Sequence, residues 1–101
     1  MYPIVSTGEN VTRQVLADDP ALMTVAFRFA AIGAIGALHS HPHVQSTFVQ
    51  SGRFRFTVAD RSFEVGPGDA FVVPSHAEHG CVCLEPGTLI DGFTPRRDDF
   101  L

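Results

Sequence analysis

A chain of 101 residues has room for one domain with a modest core, so a single domain over residues 1–101 is expected. The composition is 45% hydrophobic and 18% charged, no apolar run nears the roughly 18–20 residues that span a bilayer, and MYPIVSTGEN lacks a signal peptide's basic and apolar segments. A net charge of −4 excludes a broad phosphate-binding face, so neither a nucleic-acid nor a membrane partner is expected.

Strand signals run the length of the chain. VTRQVLA (11–17) is short and β-branched, and ALMTVAFRFA (21–30) alternates, with Met23, Val25, Phe27 and Phe29 on one face and Thr24 and Arg28 on the other. STFVQ (46–50) leads through Ser51-Gly52 into RFRFTV (53–58), which reads as a β-hairpin with glycine at its turn. Phe54 and Phe56 share the face expected to be core, and Arg53 and Arg55 share the exposed one. RSFEV (61–65) follows a turn at Asp60, and GPGD (66–69) is a turn cluster. AFVVP (70–74), HGCVCLE (79–85) and TLIDGFT (88–94) complete the series. Most prolines fall at or near breaks, no helix is evident, and so many short strands with Gly/Pro turns predict an all-β sandwich or barrel. Cys81 and Cys83, two apart on one strand, would be strained as a disulfide; they read as reduced thiols of a cytoplasmic protein.

The histidines depart from plain strand grammar. All five fall between residues 39 and 79. In LHSHPHVQ, His39 and His41 are two apart and leave one face if that stretch is extended; His43 and Gln45 continue the parity beyond Pro42, and His79 opens a distant apolar strand. Neutral ligands converging from separate strands are a usual way to hold a divalent transition metal, and a catalytic centre keeps one position open.

Two stretches together resemble the signature of the cupin superfamily. The first motif, G-x5-H-x-H-x(3,4)-E-x6-G, is met by Gly33, His39, His41, Gln45 in place of the commoner Glu, and Gly52. The second, G-x5-P-x-G-x2-H-x3-N, is met by Gly68, Pro74 and His79, with His76 where glycine is usual and Cys83 where asparagine is usual. The resemblance implies a double-stranded β-helix, the cupin jelly roll, holding one divalent ion (zinc, nickel, iron or manganese) through His39, His41, Gln45 and His79. His43 is the alternative fourth ligand; the family's spacing favours Gln45.

In TLIDGFTPRRDDFL, Asp91 and Phe93 lie two apart and would point inward with Leu89; Arg97 follows a proline turn. An acid on an apolar inner face beside a metal is a candidate for proton transfer. HSHPH-x-Q followed by this ending resembles the small cupins of pectin and alginate breakdown, which linearise 4,5-unsaturated uronates. That resemblance implies functional roles for Asp91, Phe93 and Arg97, and a small anionic sugar as partner. Arg97 would pair bidentately with the substrate carboxylate. The same ligand set also suits a non-haem metal dioxygenase, or a cupin that binds metal or sugar without turnover. A homodimer is expected, with the strands at 11–17 and 21–30 extending a partner's sheet.

Overall fold

The computed structural model describes residues 1–101. Ten strands run in order: β1 (Val5–Gly8), β2 (Val11–Asp19), β3 (Leu22–Phe29), β4 (Ile35–His39), β5 (Val44–Val49), β6 (Arg53–Val58), β7 (Arg61–Val65), β8 (Ala70–Val73), β9 (His79–Glu85) and β10 (Gly87–Thr94). A single 3₁₀ turn, Asp98–Phe100, lies near the C-terminus. The strands form two antiparallel sheets, ordered β1-β2-β3-β10-β5-β8 and β4-β9-β6-β7. The all-β expectation holds, and the inner faces of the two sheets enclose the core.

Period-two alternation decides what is buried. Along β5, Gln45, Thr47 and Val49 are buried and Val44, Ser46 and Phe48 are exposed. Phe54 and Phe56 on β6 point inward, the first against Phe29 with ring centroids 5.1 Å apart. Arg53 and Arg55 stay outside, as their parity predicts, and there both pair with Glu64 of β7. Leu89, Asp91 and Phe93 of β10 are all buried on the inner face. Cys81 and Cys83 are free buried thiols.

The hairpin expected over residues 46–58 does not form. β5 pairs with β10 and β8, whereas β6 pairs with β7 and β9, so Ser51-Gly52 is a crossing between sheets. The reason is local. Gln50 and Ser51 both donate to the carbonyl of Thr88, and the amide of Thr88 donates back to the Ser51 carbonyl, so the chain is tied to β10 as it leaves the sheet. A methyl group at Gly52 would meet the Glu85 carbonyl oxygen at 2.5 Å, and one at Gly87 would collide with the Ser51 carbonyl; only glycine permits this approach. The hairpin that does form joins β6 to β7 through Ala59-Asp60.

Two strands lack a clear sequence signal. β1 is exposed throughout, and β4 carries Gly36 and exposed Ile35 and Leu38, so neither shows the apolar alternation of a half-buried strand. β1 also corrects the expected dimer edge. β2 and β3 are interior strands, and the free edges are β1, β8, β4 and β7.

His76, at the position where the cupin motif has glycine, adopts φ +64° while its amide donates to the His41 carbonyl. A side chain in this left-handed region is strained, and the imidazole is exposed. His76→Gly is therefore expected to stabilise the fold by about 1 kcal/mol, the relief of strain outweighing the added unfolded-state entropy. Thermal melting checks this, and metal stoichiometry is expected to stay unchanged.

Candidate metal centre and its cavity

β4 ends at His39, and the chain then bends through Ser40–His43 before β5 begins. His41 thus leaves the bend rather than a continuous strand. β9 begins at His79, which pairs with His39 in the β4–β9 ladder. The three rings converge: centroids are 4.3 Å apart for His39–His79, 4.8 Å for His41–His79 and 5.5 Å for His39–His41. One nitrogen from each lies within 4.8 Å of the others, a group able to hold a metal ion.

Backbone carbonyls set the tautomers. Nδ1 of His39, His41 and His79 lies 2.8, 3.0 and 2.9 Å from the carbonyl oxygens of Ala37, His43 and Ala77. A carbonyl only accepts, so each Nδ1 carries the proton and each Nε2 presents a lone pair. Burial lowers the pKa of both His41 and His79, the latter to about 4, so these imidazoles are neutral at pH 7.

Gln45 completes the group from β5. Its Nε2 donates to Thr47 Oγ1 at 2.9 Å and to Asp91 Oδ2 at 3.4 Å, which turns Oε1 toward the histidines. Oε1 lies 3.0 Å from His41 Nε2 and 3.2 Å from His79 Nε2. Three acceptors therefore face one another with no proton to share. Such separations match neighbouring ligands on a cation bound at about 2.0–2.2 Å, so the donor set fits a metal. His39 is exposed, which leaves the group open on one side. His43 stands apart, beside His41 with centroids 5.5 Å apart, and contributes its carbonyl to the His41 hydrogen bond. The geometry favours Gln45 over His43 beside the other histidines.

The group opens onto a cavity of about 450 Å³, whose wall includes His39, Gln45, His79, Asp91, Phe93 and Arg97. Asp91 is buried, and its Oδ1 has no hydrogen-bond partner. Burial pushes its pKa up to about 7; the Thr47 hydroxyl and the Arg97 charge offset only part of that. Glutamine at position 45 now has a physical reason: its amide N–H supports Asp91, whereas a glutamate would set a second carboxylate against it. Phe93 packs edge-on to His41, and the Arg97 guanidinium lies 5.2 Å from the centre of the Phe93 ring.

Arg97 departs from one expectation. Its Nε and Nη2 already donate to the two carboxylate oxygens of Asp99, at 3.0 and 2.9 Å. The 3₁₀ turn folds Asp99 back onto that edge, so the fork expected for the substrate is engaged within the chain. Two further residues stand at the site without having been expected there: Thr47, which the alternation Gln45-Thr47-Val49 flags as inward, and Phe100, which lines the cavity and belongs to the C-terminal ending that carries the resemblance.

A family model for the cupin domain matches residues 27–91. The pectin degradation protein KdgF of Dickeya dadantii (strain 3937) is 37% identical over 98% of this chain and 91% of its own length. The chain belongs to the cupin family, in its KdgF branch. Among solved structures, this cupin is similar to KdgF from Halomonas sp., at 39% identity and a TM-score of 0.92, covering 99% of this chain and 92% of that one. It is equally similar to an RmlC-like cupin from Shewanella frigidimarina, with 39% identity, a TM-score of 0.92, and coverage of 99% and 89%. The jelly-roll expectation is thereby met over essentially the whole cupin. No helix of this cupin is long and apolar enough to cross a membrane.

Proposed function

We propose that this cupin opens the ring of 4,5-unsaturated uronate monosaccharides to give 4-deoxy-5-hexosulose uronate, with Asp91 as the proton carrier. The observation that carries this reading is the placement of Asp91: buried on the cavity wall, held by Gln45 beside the histidines, with one carboxylate oxygen free. The pectin-degradation relative supports the substrate class.

A divalent transition-metal ion held by His39, His41, Gln45 and His79 would supply Lewis-acid stabilisation of negative charge on the C5 oxygen. Asp91 takes the proton of the anomeric hydroxyl. The C1 carbonyl forms as the C1–O5 bond breaks, leaving the electron pair on O5 as an enolate across C4 and C5. Asp91 then returns the proton to C4, and C5 becomes a ketone. The proton moves from O1 to C4 with no change in oxidation state, and burial, which favours the protonated form of Asp91, lets it hold the proton between the two halves of the transfer. Phe93 forms an apolar wall that packs on the sugar and excludes water. Arg97 brings positive charge beside Asp91 and the histidines, with Nη1 uncommitted.

The protein is proposed to act in the cytoplasm, which agrees with its two free thiols, and as a homodimer through the exposed edge of β1.

The test is an assay with unsaturated galacturonate under nitrogen, following loss of absorbance from the conjugated double bond, with elemental analysis of the purified protein. Turnover above the spontaneous rate without oxygen is expected. A rate equal to the spontaneous one overturns the reading, and oxygen uptake by iron-loaded protein would favour a dioxygenase.

A further inference from the structure

Every cationic side chain apart from the histidines is an arginine, seven in all. Arg28, Arg53, Arg55, Arg96 and Arg97 each donate to Gln14, Glu64 or an aspartate. Arg61 lies exposed at the β6–β7 turn. Arg13 differs from all of these. It makes no ion pair and no side-chain hydrogen bond, yet it is half-buried and lines the cavity that holds His39, His79 and Asp91.

Arg13 shares parity on β2 with Val11 and Val15, both buried, so the strand directs a charge to its inner face. Withdrawing a charge from water without a partner costs free energy, and the fold supplies only a partial substitute. The guanidinium carbon of Arg13 lies 4.3 Å from the centre of the Phe100 ring. The Arg97 guanidinium lies 4.2 Å from the same ring, so two cations share one aromatic support. Only one of them, Arg97, has a carboxylate, Asp99. The cavity therefore presents one uncompensated guanidinium, with its planar set of N–H donors free, on the wall formed by β2.

We propose that Arg13 is a substrate-binding residue that receives the carboxylate of a sugar acid and selects uronates over neutral sugars. The inference rests on the uronate reading above, and it gives Arg13 the recognition that the Asp99 contact withholds from the committed edge of Arg97. A guanidinium suits this task because its two parallel N–H groups match a carboxylate, whereas a neutral hydroxymethyl group offers no charge to either.

The experiment compares wild type, Arg13→Gln and Arg13→Lys, as purified with their metal, by calorimetric titration with saturated galacturonate and with galactose. Saturated galacturonate carries the carboxylate but lacks the 4,5 double bond, so binding is read without turnover. Wild type is expected to prefer galacturonate, and R13Q to weaken that binding by about 10- to 100-fold, the loss typical of a charge-assisted pair. Galactose binding should stay the same, with R13K intermediate. With the unsaturated substrate, KM should rise by a similar factor while kcat changes less than about threefold. Because a half-buried unpaired charge is removed, the melting temperature of R13Q should hold or rise, whereas a merely structural arginine would lower it. Equal wild-type affinity for both sugars overturns the proposal, as does undiminished galacturonate binding in R13Q, or a fall in kcat with KM unchanged. If wild type fails to turn over the unsaturated sugar but R13Q still loses its preference for galacturonate, the selectivity stands and only the reaction assignment falls.

Discussion

Asp91→Asn is expected to abolish most turnover and, at the same time, to stabilise the metal-free protein at alkaline pH. The first effect follows from the proton path. Asparagine preserves the shape and can still accept from Gln45 Nε2, but it cannot take a proton from the anomeric hydroxyl or return one to C4. Loss of a positioned general acid–base group costs on the order of 10²- to 10⁴-fold in rate. The second effect follows from linkage. The Asp91 pKa is raised from 3.8 to about 7 by burial, so between these values the native state holds a proton that the unfolded chain releases. The contribution is fully present below pH 3.8 and is lost as pH rises through about 7. Above that, the carboxylate is a buried charge that costs roughly 2–4 kcal/mol, which asparagine removes. Urea unfolding of both proteins at pH 4 and pH 8 checks this: the variant should gain little at the lower pH and more than about 1 kcal/mol at the higher. Retained turnover, or equal stability at both values, would remove Asp91 from the proton path. This behaviour is the reverse of an ordinary surface aspartate, whose substitution moves neither quantity far.

Metal uptake carries the other large effect. Addition of zinc or nickel to metal-free protein, at a free concentration of a hundred times the dissociation constant, is expected to stabilise it by about 2.7 kcal/mol. For a domain of this size, that corresponds to a rise in melting temperature of more than about 10 °C. His79→Ala should lose that rise and the bound metal together, since His79 faces both His39 and Gln45. Equal stoichiometry in the variant would show that the ion sits elsewhere. pH acts in a defined direction. His79 is held neutral in the fold down to about pH 4, whereas its unfolded counterpart protonates near 6.5. The unfolded state therefore binds more protons across that window, and the metal-free protein loses stability as pH falls through it. Burial thus suits His79 to its proposed role as a ligand: near neutral pH no proton has to leave it before an ion binds.

These effects reside in residues whose neighbours were only partly visible from the chain. The spacing of His39, His41 and His79 was legible because a motif records which residues the fold will bring together. The alternation Leu89-Asp91-Phe93 was legible because a strand's side chains change face at every residue, whatever lies beside it. The same rule placed Phe54 and Phe56 inside and Arg53 and Arg55 outside. The turn signal, by contrast, failed at Ser51-Gly52, where a turn-like glycine suggested a hairpin. A positive φ says that the chain changes direction, not which strand it then meets; the Thr88 hydrogen bonds decided that.

By itself, the sequence determined the strand faces, the absence of a spanning helix and the identities of the metal-binding candidates. Each depends on residue type, on a period of two, or on a motif within a short stretch. Only the tertiary structure decided which charges find partners. Asp99 closes one edge of Arg97, the Gln45 amide turns between Asp91 and the histidines, and Arg13 faces a cavity alongside Phe100, to which no local pattern connects it. Apart from Arg97 and Asp99, which the C-terminal 3₁₀ turn brings together two residues apart, such pairing is a matter of ångströms between elements far apart in the chain. Electrostatic and hydrogen-bond energies vary over such distances, whereas strand parity does not.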